Sequence, residues 1–186
     1  YTNNGTTTIN GTFQINNGGY ATGTNFSYAT TGSSLIMNNN DNINIYNIST
    51  GQVFWPTTNP PFNVTINSNS PTRINNAVGT VAGTATLNSQ LIINATNAFT
   101  VNGTLQLNAN GFVGAGNAPV YGTASLLRYN SGGSFDRGTE WTGASSGAGF
   151  PNNVQIFNAG TIFNMGGAGT AFCGGNLLID SLTTLN

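Results

Sequence analysis

Eleven stretches of this chain carry one short phrase: an apolar residue or Thr, any residue, an apolar residue, then Asn. They are TTIN at Thr7–Asn10, FQIN at Phe13–Asn16, DNIN at Asp41–Asn44, VTIN at Val64–Asn67, TRIN at Thr72–Asn75 and ATLN at Ala85–Asn88. LIIN at Leu91–Asn94, FTVN at Phe99–Asn102, LQLN at Leu105–Asn108, TIFN at Thr161–Asn164 and TTLN at Thr183–Asn186 follow. Only Asp41 breaks the first slot. Alternation of an inward and a variable position is the period of a β-strand and not of a helix. After Gly, Asn adopts the left-handed turn conformation most readily, and its amide can bond nearby backbone. Each phrase therefore reads as a very short strand with its corner attached. A chain of many such units is expected to wind, stacking strand on strand and Asn on Asn.

Longer echoes strengthen this reading. INGTFQIN (Ile9–Asn16) and VNGTLQLN (Val101–Asn108) match almost residue for residue, and LNSQLIIN (Leu87–Asn94) and FNAGTIFN (Phe157–Asn164) share their frame. Gly at the Asn-Gly corners would accept positive φ without steric cost. The spacing is uneven, so the expectation is an irregular coil with roughly 20–25 residues per turn and about eight turns. Phe13, Ile15, Leu91, Ile93, Phe99, Val101, Leu105 and Leu107 should face the core, with Gln14 and Gln106 outward and free of any structural role. Stacked Asn residues would form amide ladders worth about 1 kcal/mol per bond. The predicted fold is all-β, a right-handed parallel β-helix with irregular coils and a long loop excursion. The alternative is an antiparallel β-sandwich, because Asn-Gly at Asn4, Asn10, Asn17, Asn102 and Asn110 is also the hairpin signal.

Composition narrows the function. Hydrophobic residues make up 38% of the 186, enough for one domain with a core. Charged residues are 4%, against roughly 25% in ordinary soluble domains. The charged set is Asp41, Arg73, Arg128, Asp136, Arg137, Glu140 and Asp180. With a net charge of −1 and no cluster of Arg, nucleic acid is excluded as a partner. No apolar run is long enough for a membrane span, so no membrane insertion is expected. One cysteine, Cys173, forbids an internal disulfide and reads as a small buried hydrophobe. Low charge with abundant Asn, Thr and Gly points to an extracellular, cell-surface setting. The chain opens at Tyr1 without a leader pattern, and the expectation is a single solenoid segment, 1–186, of a longer chain.

Two stretches interrupt the pattern. Phe54–Phe62 (FWPTTNPPF) carries three prolines and reads as a loop or a protruding corner. Residues 111–153 are rich in Gly and Ser and hold four of the charges, so a loop-bearing insertion is expected there. Within and after it stand the strand Leu126–Tyr129, the turn Gly132-Gly133, Arg137-Gly138-Thr139-Glu140-Trp141 and Phe150–Val154. From Ala118 to about Asn164 this succession resembles the β-helical repeat segments of large Flavobacterium-like cell-surface and adhesin proteins of the Bacteroidota. Such proteins leave the cell by type IX secretion. The resemblance implies a long, repetitive, β-helical passenger that serves as adhesin or surface filament. Its partners would be glycans, host or abiotic surfaces, or the secretion machinery.

The candidates for chemistry are few. Asp136 and Glu140 are the candidate acid and base of a glycosidase, with Trp141 as a sugar platform. The competing reading has Arg137 in a salt bridge with Glu140 or Asp136, locking a long loop, with Arg128 in the same network. The chain has no His or Lys, so a Ser-His-Asp triad, a Schiff base and a P-loop are all excluded. Zinc lacks ligands, and no cofactor is expected. Asp41 in NNNDNIN is a candidate calcium ligand, weakened by being the only carboxylate there. Tyr20, Phe26, Tyr28, Tyr46, Trp55 and Tyr121 are candidates to line a glycan groove, chiefly Trp55 and Tyr121 together with Trp141. The expected function is a non-catalytic structural or passenger segment, a stalk, filament or adhesin. The alternatives are a glycan-binding adhesin module and a carbohydrate-active enzyme.

Overall fold

The computed structural model describes all residues except 1, 4, 20, 24–25, 39–45, 49–53, 68–70, 76–78 and 167–168; for 2–3, 22–23 and 46–48 it describes the backbone alone. Eight strands stack into one long sheet of about seven turns. In chain order they are Thr12–Ile15, Ser34–Met37, Asn63–Ile66, Thr84–Leu87, Thr104–Asn108, Leu126–Asn130, Asn153–Ile156 and Leu177–Ile179. Equivalent residues on successive coils lie between 19 and 29 positions apart. The coils are thus fewer and more unequal than the expected eight of 20–25 residues.

Each coil continues from the long sheet onto further faces. The second face runs through Tyr46–Ile48, Thr72–Ile74, Gln90–Ile93 and Phe112–Val113, then stops. A separate sheet of Ser134–Asp136, Ile162–Asn164 and Thr184–Leu185 takes up the same place in the later coils. The third face holds Gly79–Val81, Phe99–Val101 and Val120–Tyr121. At the N-terminal end Thr7–Ile9 pairs with Phe26–Tyr28, and Thr2–Asn3 with Thr22–Gly23. Every strand pair among the described residues is parallel. The antiparallel sandwich is therefore excluded: a parallel neighbour must come from the next coil and cannot follow a two-residue hairpin.

The core follows from register. One inward column of the long sheet runs Phe13, Leu35, Val64, Ala85, Leu105, Leu127, Val154, Leu177. The other runs Ile15, Met37, Ile66, Leu87, Leu107, Tyr129, Ile156, Ile179. Between Leu35 and Ile156 every member is buried. Phe13, expected to be buried, is half-buried, because among the described residues its strand is the end strand of the long sheet; its ring lies 5.4 Å from that of Phe26. At the opposite end Leu177 and Ile179 are 42% and 44% exposed.

Asn residues stand at the corner that closes each of the first six strands of the long sheet. Asn38, Asn67, Asn88, Asn108 and Asn130 each donate from Nδ2 to Oδ1 of the Asn on the preceding coil. The row starts at Asn16, and the five bonds measure 2.5 to 3.3 Å. LIMN at Leu35–Asn38 and LRYN at Leu127–Asn130 have the same form as the eleven stretches and complete the row. The expectation of left-handed Asn is not met. Among the described non-glycine residues only Asn59, Asn158 and Leu182 have positive φ, and none of these closes a phrase. The amide ladder, and not a turn conformation, accounts for Asn there. Gly103 likewise serves close approach instead of positive φ, since a Cβ would collide with the Gly83 carbonyl on the coil below.

Gln14 and Gln106 are not idle either. Each donates from Nε2 to the ladder Asn two residues on, at 2.6 and 3.1 Å. The stretch 111–153 contributes strands Phe112–Val113, Val120–Tyr121, Leu126–Asn130 and Ser134–Asp136 to the coil. Its longest run without a strand is residues 137–152. Phe54 and Trp55 turn inward at 0% and 4% exposure, so the proline-rich segment covers the core as a bend while Tyr28 donates its hydroxyl to Phe54 O at 2.7 Å.

Candidate functional site

The charged motif lies where the second face is interrupted. The strand-free run 137–152 begins just after Ser134–Asp136 and carries Glu140 and Trp141 into the core. Glu140 is fully buried. Its Oε1 accepts from the Tyr129 hydroxyl at 2.9 Å and from the Gly138 N–H at 2.8 Å. Tyr129 occupies an inward position otherwise filled by aliphatic residues, so its hydroxyl needs an acceptor in dry surroundings. Tyr121 donates to the Glu140 backbone carbonyl at 2.8 Å. Thr139 Oγ1 lies 2.8 Å from the carbonyls of both Val113 and Gly114, sharing its proton between them. Those two carbonyls stand at the end of the interrupted strand, and Thr139 takes the part of the missing neighbour.

Burial raises the Glu140 carboxyl above the ordinary range, against the opposing pull of the Gly138 N–H, its own N–H, the Tyr129 hydroxyl and the Val113 N–H. Tyr121 and Tyr129 are pushed up chiefly by burial and then by the Glu140 charge, which would sit beside a second anion. The Oε2 of Glu140 and the Nη1 of Arg137 are buried without a hydrogen-bond partner.

The expected salt bridge is absent. Among the described residues Arg137 pairs with neither Glu140 nor Asp136, because Glu140 turns inward to Tyr129 and Asp136 outward to Asn164. Asp136 Oδ1 accepts from Asn164 Nδ2 at 2.8 Å, and Asn186 Nδ2 donates to Asn164 Oδ1 at 3.0 Å, a second and shorter ladder. Arg128 is likewise outside the motif. It lies on the outer surface of the long sheet, donating to Gln155 Oε1 at 2.8 Å and Gln106 Oε1 at 3.4 Å with its guanidinium 5.0 Å from the Phe157 ring centroid.

The candidate acid and base therefore do not meet across a cleft: Glu140 is in the core and Asp136 on the surface. The proposed sugar platforms are also enclosed. Trp141 is 2% exposed, donates to Phe172 O at 2.8 Å and stacks on Phe163 with centroids 5.9 Å apart. Trp55 packs edge-on against Phe99, and Tyr121 is half-buried with its hydroxyl committed to Glu140. Phe26 and Tyr28 are buried as well. Asp41, Tyr20 and the Tyr46 side chain lie outside the described residues. Cys173, expected to be buried, is half-buried, because it sits in the strand-free approach to the thinly covered last coil. Among the described residues no three His, Cys, Asp or Glu side chains gather to hold a metal, and no helix is long and apolar enough to cross a membrane.

One surface feature was not foreseen. Two adjoining hollows, of about 390 and 370 Å³, share Asn110 and Phe112 as a common wall. The first is bounded by Ser134, Asp136 and Gly138 across the interruption, the second by Asn67, Asn88 and Gln90. Phe112 is 40% exposed. Phe112 is in register with the outward Gln90 and Val113 with the buried Leu91, so alternation places the Phe112 ring on the outer face.

No family model matches this chain, and no curated protein and no solved structure matches it.

Proposed function

We propose that this chain is a non-catalytic, rigid spacer segment of a secreted bacterial cell-surface protein. The observation that carries the reading is the unbroken eight-strand sheet with its row of Asn–Asn bonds along one corner. Each coil touches only its neighbours, so length is added without a change of cross-section, which is the property a stalk needs. Stability without charge suits exposure outside the cell: only 4% of residues are charged, and the polar surface is amide and hydroxyl. The resemblance of residues 118–164 to type IX-secreted passengers supports the same location. The burial of Glu140 against Tyr129 and the capture of Asp136 by Asn164 support a structural role for both carboxylates.

The test is surface display in the source organism together with an activity screen. Antibody against this segment should label intact cells, and protease added outside should remove the signal. Labelling only after permeabilisation would end the reading. Purified segment incubated with plant and algal polysaccharides should release no sugar above the level given by a Glu140→Gln variant; turnover lost in that variant would favour the enzyme instead.

A further inference from the structure

We infer that the trough centred on Phe112 is a binding site for a neutral oligosaccharide, lying lengthwise along the solenoid. The trough crosses a break in the second face: the sheet that ends at Phe112–Val113 does not pair with Ser134–Asp136, and Thr139 caps the free carbonyls from within. Phe112, in register with the outward Gln90, holds its ring on the outer face, 40% exposed, at the junction of the two hollows.

Around that ring four polar side chains keep all or part of their hydrogen-bonding capacity. Among the described residues the amides of Gln90 and Asn110 have no partner in the protein, although both line the trough. Asp136 spends Oδ1 on Asn164 and keeps Oδ2, while Ser134 accepts from Asn164 and keeps its own proton to donate. A pyranose presents an apolar C–H face and a rim of hydroxyls. The first matches the aromatic face. The second matches amides, a hydroxyl and a carboxylate that both donate and accept. Charge chooses among sugars. Asp136 is the one charged residue of the lining, so uronate or sulfated chains are repelled.

Geometry sets the length. Asn67, Asn88, Asn110 and Ser134 belong to four successive coils. With strands spaced ~4.8 Å, the trough extends roughly 14 Å. Each coil step is close to the length of one extended pyranose unit, so about three rings lie in register with the coils. This site stands apart from the spacer reading, since a stalk needs no ligand.

The experiment is titration of the isotopically labelled chain with cellohexaose, laminarihexaose and mannohexaose, followed by NMR, with hexagalacturonate as the charged comparison. At least one neutral hexasaccharide should shift Gln90, Asn110, Phe112 and Ser134 in a saturable way, and hexagalacturonate should not. Phe112→Ala should weaken that binding about threefold to tenfold, and Asp136→Asn, which keeps an acceptor for Asn164, by a similar factor. Thr100→Ala on the third face should leave it unchanged. Circular dichroism of each variant establishes that the coil is intact. Shifts from no neutral sugar, equal binding of hexagalacturonate, or unchanged affinity in folded Phe112→Ala each overturn the proposal.

Discussion

Asn88 holds two coils at once, donating to Asn67 Oδ1 at 2.5 Å and accepting from Asn108 Nδ2 at 2.6 Å. Asn16, at the head of the row, accepts only one bond from another ladder Asn. Each rung is worth about 1 kcal/mol or less at a half-exposed corner. Asn88→Ala should therefore cost about 1–2 kcal/mol and Asn16→Ala about half as much. Urea titrations would decide it: equal losses at both positions would mean that the rungs do not act as separate bonds. Glu140 makes a different claim, on pH. Its folded carboxyl titrates above the unfolded value, so the native state binds more protons through that interval. Stability from this group is complete below the unfolded value and is lost as pH rises through the folded one. The groups facing it are Tyr129 and Tyr121, whose hydroxyls stay protonated there, with Arg137 nearby. With no His and only four carboxyl side chains in the chain, this loss should be visible in thermal melts between pH 4 and 8. Glu140→Gln should flatten the profile; a slope unchanged by that substitution would show that the carboxyl is ionised throughout.

At the scale of a strand, the inside and outside of the sheet were legible from alternation alone, because burial in a parallel coil repeats every second residue. Ile15, Leu91, Ile93, Phe99, Val101, Leu105 and Leu107 are all buried as the phrase predicts. Leu107→Ala should cost about 2–5 kcal/mol, since its neighbours Leu87 and Tyr129 are held by their own strands and cannot close the space. A loss under 1 kcal/mol in a denaturant melt would contradict that rigid column. The corners were legible in their amide ladder, which the repeated Asn predicts, but not in their backbone: the left-handed turn read from the local preference of Asn does not form. The Arg137–Glu140 region failed because a local preference was again put first. Opposite charges adjacent in sequence suggested each other as partners, whereas Glu140 bonds to Tyr129 eleven residues upstream, a residue whose inward direction is fixed by the long sheet. The trough at Phe112 was not legible because the outward direction of that ring is set by its register with Gln90 on the preceding coil, which no residue type marks.

Over the whole molecule the solenoid is a one-dimensional stack, so stability should vary along its axis and not be shared evenly. The middle coils bury both inward columns completely and carry an Asn bond on each side. The ladder ends at Asn130, where Phe157 and then Asp180 take the corner place. In the last long-sheet strand Leu177, Leu178 and Ile179 are 42%, 52% and 44% exposed, and Leu182 beyond it is 81% exposed. That coil has lost half of its packing partners and its amide rung together. Its backbone bonds should open without the rest of the molecule, at a free energy well below that of global unfolding. Native-state hydrogen exchange should therefore find the amides of 177–179 exchanging first and 153–156 next. Those of Thr84–Leu87 and Thr104–Asn108 should open only with the whole fold. Leu107→Ala should lower protection of the central strands while leaving 177–179 nearly unchanged, because a coil that opens locally does not sense a cavity three coils away. Uniform protection from end to end, falling everywhere by the same factor in Leu107→Ala, would instead make the solenoid a single cooperative unit.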